Sequence, residues 1–158
     1  MHTVLYCSPK GVVYETRAYS KADIDQLVAT HGLQCLTSAD RQYDFWFAAS
    51  PPKCQRRANT IATELLMATT TFTARTVPLL RGCVVIATHD SDGDLDGLSW
   101  QQLDELAAKN RAITGRQARI LARRVARDAR RRRPRPARRA AQPVAAQAQQ
   151  PVDAASGR

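Results

Sequence analysis

Gly82-Cys83-Val84-Val85-Ile86-Ala87-Thr88-His89 is the stretch whose reading decides the fold. From Cys83 to Thr88 the run is continuously apolar, and Gly82 and His89 bound it. That is the pattern of a strand covered on both faces, and it predicts the middle of a sheet with packing layers on either side.

Upstream, Tyr43-Asp44-Phe45-Trp46-Phe47-Ala48 is a second strong strand candidate, rich in aromatic residues and ended by Ser50-Pro51-Pro52. Leu33 to Leu36 is a brief extended run ahead of a polar turn at Ser38 to Gln42. The chain opens with Thr3-Val4-Leu5-Tyr6-Cys7 and Val12-Val13-Tyr14-Glu15-Thr16, joined by Ser8-Pro9-Lys10-Gly11, which predicts a hairpin. Ser20 and Asp23 form a loose capping pattern. Ile24, Leu27, Val28 and His31 then follow at helical spacing, and Gly32 closes that helix. Pro is tolerated in a first helical turn, so Pro52 predicts the start of a second helix. Its buried face is Ala58, Ile61, Ala62, Leu65 and Leu66, and it stops in Thr69-Thr70-Thr71.

Downstream, an Asp/Gly loop from His89 to Leu98 leads to Ser99, which with Gln102 forms a capping box for a helix through Leu103, Leu106 and Ala107. The elements read ββαββαβα, a small α+β or α/β domain over residues 1–112.

Charge divides the chain differently. Met1 to Ala108 holds 9 Lys and Arg against 12 Asp and Glu, and Lys109 to Arg158 holds 15 against 2, giving balances of −3 and +13. Thr114 and Gln117 form another capping box, and Gly115 loosens the preceding helix, so residues 113–133 read as a separate basic amphipathic helix. At 100° per residue Arg116, Arg119, Arg123, Arg127 and Arg130 fall in one stripe, opposite Ala118, Leu121, Ala122, Val125 and Ala129. Arg131-Arg132-Arg133 adds charge before Pro134 and Pro136 break the helix. Residues 134–158, rich in Arg, Pro, Ala and Gln, predict a disordered tail.

Such a helix suits a phosphate backbone, because guanidinium groups pair bidentately with phosphate and displace condensed counterions. DNA or RNA is therefore the expected partner, bound without sequence preference through Arg116, Arg119, Arg123, Arg127, Arg130, Arg131, Arg132 and Arg133. No aromatic residue follows Trp100, so the tail has no base-stacking platform. Helix-turn-helix recognition over Ser99 to Arg130 is opposed by the small and apolar residues around Asn110 to Ile113. The alanine-rich apolar side buries little area, which argues against a lipid surface. With 20 Arg to 4 Lys the charge is also compatible with an incidental solvated tail. In that alternative the body is a protein-interaction module, a regulator or inhibitor of a host or replication factor, and a conserved groove or an exposed aromatic patch near Phe45-Trp46-Phe47 is its expected mark.

Other chemistry is thinner. Cys7, Cys35, Cys54 and Cys83 are far apart, without the close pairs of a zinc or redox site. Cys54, beside Lys53, Arg56 and Arg57, is the best-placed thiol for a nucleophile, with His31 or His89 as base, but the spacing brings no histidine to it. No enzyme activity and no cofactor are expected. Arg56, Arg57 and Arg75 are candidates for a second anion patch. Asp90, Asp92, Asp94 and Asp96 are the only candidate metal ligands; either calcium-loop register lacks the closing Glu, so a plain solvated turn is expected. The same loop is also a candidate shield for the arginines. The N-terminus lacks the pattern of a signal peptide, and no apolar run is long enough to span a bilayer, which predicts a soluble cytoplasmic protein without a membrane partner.

Asn59-Thr60-Ile61-Ala62-Thr63-Glu64-Leu65 and Leu80-Arg81-Gly82-Cys83-Val84-Val85-Ile86, followed by the acidic-glycine turn ending in Leu98, resemble a family of small uncharacterised domains of actinobacterial, plasmid and actinophage proteins. The resemblance implies an accessory domain of a mobile element and carries over no catalytic residue.

Overall fold

A computed structural model describes residues 1–28 and 32–133, and among these residues it has six strands and four α-helices. In order they are β1 (His2–Cys7), β2 (Val13–Ala18), α1 (Lys21–Val28), β3 (Leu33–Thr37), β4 (Asp44–Ala48), α2 (Thr60–Thr69), β5 (Val84–His89), β6 (Leu95–Asp96), α3 (Trp100–Arg111) and α4 (Gly115–Arg132). The sheet runs β2-β1-β5-β4-β3, with β6 paired to the end of β5. Every pairing is antiparallel, so of the two expected classes the fold is α+β.

β5 sits mid-sheet, as its unbroken apolar run requires, and its two-residue period feeds two cores. Val84 and Ile86 face a layer formed by α2, α3 and α4, together with Leu5 and Cys7 of β1 and Phe45 and Phe47 of β4. Val85 and Ala87 face α1, together with Val4, Tyr6, Trp46 and Ala48. Ile24 and Val28 of α1 are fully buried there. Asp23, rather than Ser20, holds the entry to α1: its Oδ2 accepts from the Tyr19 amide at 2.7 Å and the Ser20 amide at 3.0 Å. His31 lies outside the described residues.

The start of α2 differs from expectation. Pro52 leads only into a 3₁₀ turn at Lys53–Gln55, and the helix begins at Thr60. The intervening backbone is used elsewhere. The Asn59 amide donates to Leu80 O at 2.8 Å, and Gly82 N donates to Arg57 O at 3.1 Å. A β-bridge joins Ala58 to Arg81. Asn59 caps α2, its Oδ1 accepting from Ala62 N at 3.1 Å. Its side-chain amide donates to Cys7 O and Gly82 O, both at 2.9 Å. Gly82 has φ +71°, and a Cβ there would come within 3.1 Å of Gln55 O, so glycine is required at this crossing. The C-terminal stop of α2, at Thr69 with Thr70 as cap, lies where the threonine run places it.

A second difference is β6. Leu95 and Asp96 pair with His89 and Thr88, so the acidic loop is the turn of a short hairpin rather than a free connection. Gly97 then passes against β1, where an added Cβ would stand 2.8 Å from Thr3 N. Leu98 N donates to Thr3 O at 2.8 Å and locks that approach.

Candidate nucleic-acid interface

α3 and α4 carry complete capping boxes. Ser99 and Gln102 exchange hydrogen bonds at the start of α3, and Thr114 and Gln117 do so at the start of α4. The pairing satisfies two amides otherwise left bare at each helix start. Ala112-Ile113-Thr114 joins the two helices. The small and apolar residues that count against a recognition turn have a packing role, because Ile113 lies against the main core.

The expected boundary between 112 and 113 falls in this turn, yet α4 is docked on the body. Leu121 is fully buried, and Ile120 and Val125 pack against the same core as Phe45 and Ile86. Two polar anchors fix the helix. Arg124 donates to Ala74 O at 3.0 Å. Asp128 receives a bidentate grip from Arg81, both contacts at 2.7 Å. These bonds, with the charge of Arg81, hold the Asp128 carboxyl below the ordinary aspartate range against the opposing effect of its burial.

All eight expected arginines are exposed. Arg116, Arg119, Arg123, Arg127 and Arg130 form the solvent-side stripe that the 100° spacing requires. Arg119 folds back, its Nε donating to Gly115 O at 3.1 Å. Arg131, Arg132 and Arg133 are consecutive and therefore fan around the helix end instead of extending the stripe. Arg132 turns towards the body and pairs with Asp128 at 3.2 Å. Arg124 is absent from the expected set, and its role here is structural. Arg135, Arg138, Arg139 and the rest of the expected disordered tail lie outside the described residues.

A groove of about 1090 Å³ runs between the second half of α4 and the segment before α2. Ala122, Val125, Asp128, Ala129, Arg132 and Arg133 line it from the α4 side, and Lys53, Arg56 and Arg57 line it from the body. Two of the three body arginines considered for an anion patch thus join the α4 surface. Arg75 is exposed but does not line this groove. The sequence signal for this convergence was thin: it depends on the Ala58–Arg81 bridge, which brings residues distant along the chain beside Asp128.

Other candidate chemistry is not assembled among the described residues. In the acidic turn Asp90 Oδ1 accepts from the Asp92 and Asp94 amides at 3.0 and 2.9 Å. Asp96 lies 3.2 Å from His2 Nδ1. Among the described residues no group of three or more acidic, His or Cys side chains is placed to hold a metal ion. Nor is any ion pair present there between this turn and the α4 arginines, as the shielding idea would need.

Burial pushes the Cys7 thiol up to about 12, which keeps it protonated at neutral pH, whereas Cys35 is exposed. Cys54 lies in the 3₁₀ turn. His89 finds a partner that strand patterning did not suggest. Its Nδ1 is 2.6 Å from Asp44 Oδ2, and the other oxygen of this buried carboxylate accepts from Thr37 Oγ1 at 2.7 Å. Phe45, Trp46 and Phe47 do not form an exposed patch: Phe45 is fully buried, and the other two pack on opposite faces of the sheet. No helix among the described residues is long and apolar enough to cross a membrane. Comparison of the chain with protein-family models, with curated proteins and with solved structures finds no match.

Proposed function

We propose that this protein binds DNA or RNA without sequence preference by laying α4 along the phosphate backbone, in an accessory rather than a catalytic role. The observation that carries the reading is the division of labour around one helix. Leu121, Arg124 and Asp128 fix α4 to the sheet layer, and Arg116, Arg119, Arg123, Arg127 and Arg130 stand on its solvent side. A docked helix presents its cations with little further loss of backbone entropy on binding, unlike a free basic tail. Lys53, Arg56 and Arg57 add positive charge beside Arg132 and Arg133, around the groove on the other side of α4 from the stripe. The resemblance to mobile-element domains supports a role of this accessory kind.

The test is a salt series on mixed-sequence duplex DNA and on structured RNA. It compares the full chain with a variant in which Arg116, Arg119, Arg123, Arg127 and Arg130 are all Gln. Truncation at Ala112 is unsuitable because it strips Leu121 from the core. The wild type is expected to bind with a steep negative salt slope. The variant should stay folded and lose about four to five units of that slope on duplex DNA. Equal binding by both chains overturns the reading, and so does the absence of wild-type binding at low salt.

A further inference from the structure

β2 is an edge strand. It pairs with β1 on one side only, and among the described residues the sheet order places nothing on the other. Large exposed apolar side chains gather along it. Val12, Val13, Tyr14 and Tyr19 are 54%, 39%, 47% and 68% exposed, and the exposed Met1 touches Tyr19. Only Phe72 and Trp100 are comparable elsewhere among the described residues. Edge strands that must stay single are usually protected by Pro, charged side chains or a bulge; Val13-Tyr14-Glu15-Thr16-Arg17-Ala18 has no Pro, Lys or bulge, its two charges, Glu15 and Arg17, are of opposite sign, and its pairing with β1 runs without interruption from Val13 to Ala18.

We infer that this edge pairs with the same edge of a second copy, antiparallel about a two-fold axis at Thr16. The charges choose the register. Centred on Thr16, each Glu15 lies opposite the Arg17 of the other copy, giving two opposite-charge cross-strand pairs, and Tyr14 lies opposite Ala18. Centred on Glu15 or on Arg17, the axis would place like charges against each other, which is unfavourable for directly opposed residues. Glu15 makes no side-chain hydrogen bond or ion pair among the described residues, and Arg17 meets only Met1 Sδ, at 3.4 Å, so both are available. At each end of the paired segment Val13 approaches Tyr19 of the other copy, which takes apolar surface from water. The two sheets then become one continuous sheet, and the outward amides and carbonyls along Val13 to Arg17 gain partners, the fully buried Ala18 marking the end of the open edge. The inference is independent of nucleic-acid binding.

The test is sedimentation velocity of the full chain, freed of nucleic acid, over a hundredfold range of protein concentration. The wild type is expected to pass from monomer to dimer. Glu15→Arg sets Arg against Arg17, and Arg17→Glu sets Glu against Glu15; each is expected to weaken the dimer by about tenfold or more. The double exchange Glu15→Arg/Arg17→Glu restores opposite charges and should restore the dimer. Both positions lie on an exposed edge, and circular dichroism checks that each chain stays folded. A wild type that remains monomeric throughout overturns the inference, as does a dimer unaffected by either single change or not restored by the double exchange.

Discussion

Arg81 grips Asp128 with both arms of its guanidinium, the two nitrogens standing 2.7 Å from the two carboxylate oxygens. This pair joins the segment that leads into the central strand to the helix proposed to meet nucleic acid. Asp128 is the only acidic residue in α4, and its position on the docked side keeps its charge away from the arginine stripe. Each partner keeps only 20% of its side-chain surface, so the pair is shielded more than an ordinary surface ion pair. Asp128→Asn is expected to lower stability by about 1–2 kcal/mol. Because it also removes a negative charge, it should leave nucleic-acid affinity unchanged or slightly higher. Chemical denaturation and a binding titration on the same variant separate the two effects.

The same pair predicts a direction for acid sensitivity. Asp128 binds its proton less readily in the folded chain than in the unfolded one, so its contribution to stability is present at neutral pH. That contribution begins to fade as pH falls towards the ordinary aspartate value of about 3.9, and is lost as pH falls through the lower folded value. Thermal unfolding followed from neutral to acidic pH should show a decline that is shallower in Asp128→Asn. Identical pH profiles for the two chains would count against the pair as an anchor of α4.

Asn59 caps α2 and donates to carbonyls on both sides of it, at Cys7 and Gly82. Asn59→Ala leaves the Ala62 amide and two buried carbonyls without these partners, for an expected loss of about 2–4 kcal/mol. Asn59→Asp keeps a cap acceptor but turns a carboxylate towards the two carbonyls, and should be at least as destabilising. Urea unfolding midpoints rank the three chains. An aspartate variant as stable as the wild type would show that the two donated bonds matter little.

The legible part of this fold is the part written in local pattern. The apolar run Val84 to Ala87, the aromatic run of β4 and the capping boxes at Ser99 and Thr114 are all legible locally, because each reflects burial or hydrogen bonding within a few residues. The stripe from Arg116 to Arg130 is legible for the same reason. What escapes is long-range. Pro52 looks like a helix start because nothing local reveals that Ala58 will bridge to Arg81. Arg124 looks like one more basic residue because its acceptor, Ala74 O, is fifty positions away. Leu121 has the periodicity of a helix interior, but that periodicity does not say whether a free arm or a docked helix carries it.

Leu121 and the arginine stripe should therefore respond oppositely to substitution. Leu121 is fully buried in the main core, and Leu121→Ala is expected to cost about 2–5 kcal/mol through lost transfer energy and the cavity left behind. Any loss of nucleic-acid binding in this variant should track the undocking of α4, and should be smaller at low temperature where the fold persists. Hydrogen exchange along α4 reads the undocking directly.

Arg123 and Arg124 are adjacent in sequence and give the sharpest contrast. Arg123 stands on the exposed stripe, whereas Arg124 is half-buried and donates to Ala74 O at 3.0 Å. Arg123→Gln removes one solvent-facing charge and no bond to the body. Its expected signature is an unchanged unfolding midpoint and a salt slope on duplex DNA shallower by about 0.9. Arg124→Gln withdraws the donor from a backbone carbonyl, so it should lower stability by about 1 kcal/mol and leave the salt slope close to that of the wild type. If nucleic acid were held by net charge alone, without regard to which side of α4 carries it, the two variants would shift the slope equally. Measuring both slopes in the same buffer therefore tests the docked orientation of the helix as well as its charge.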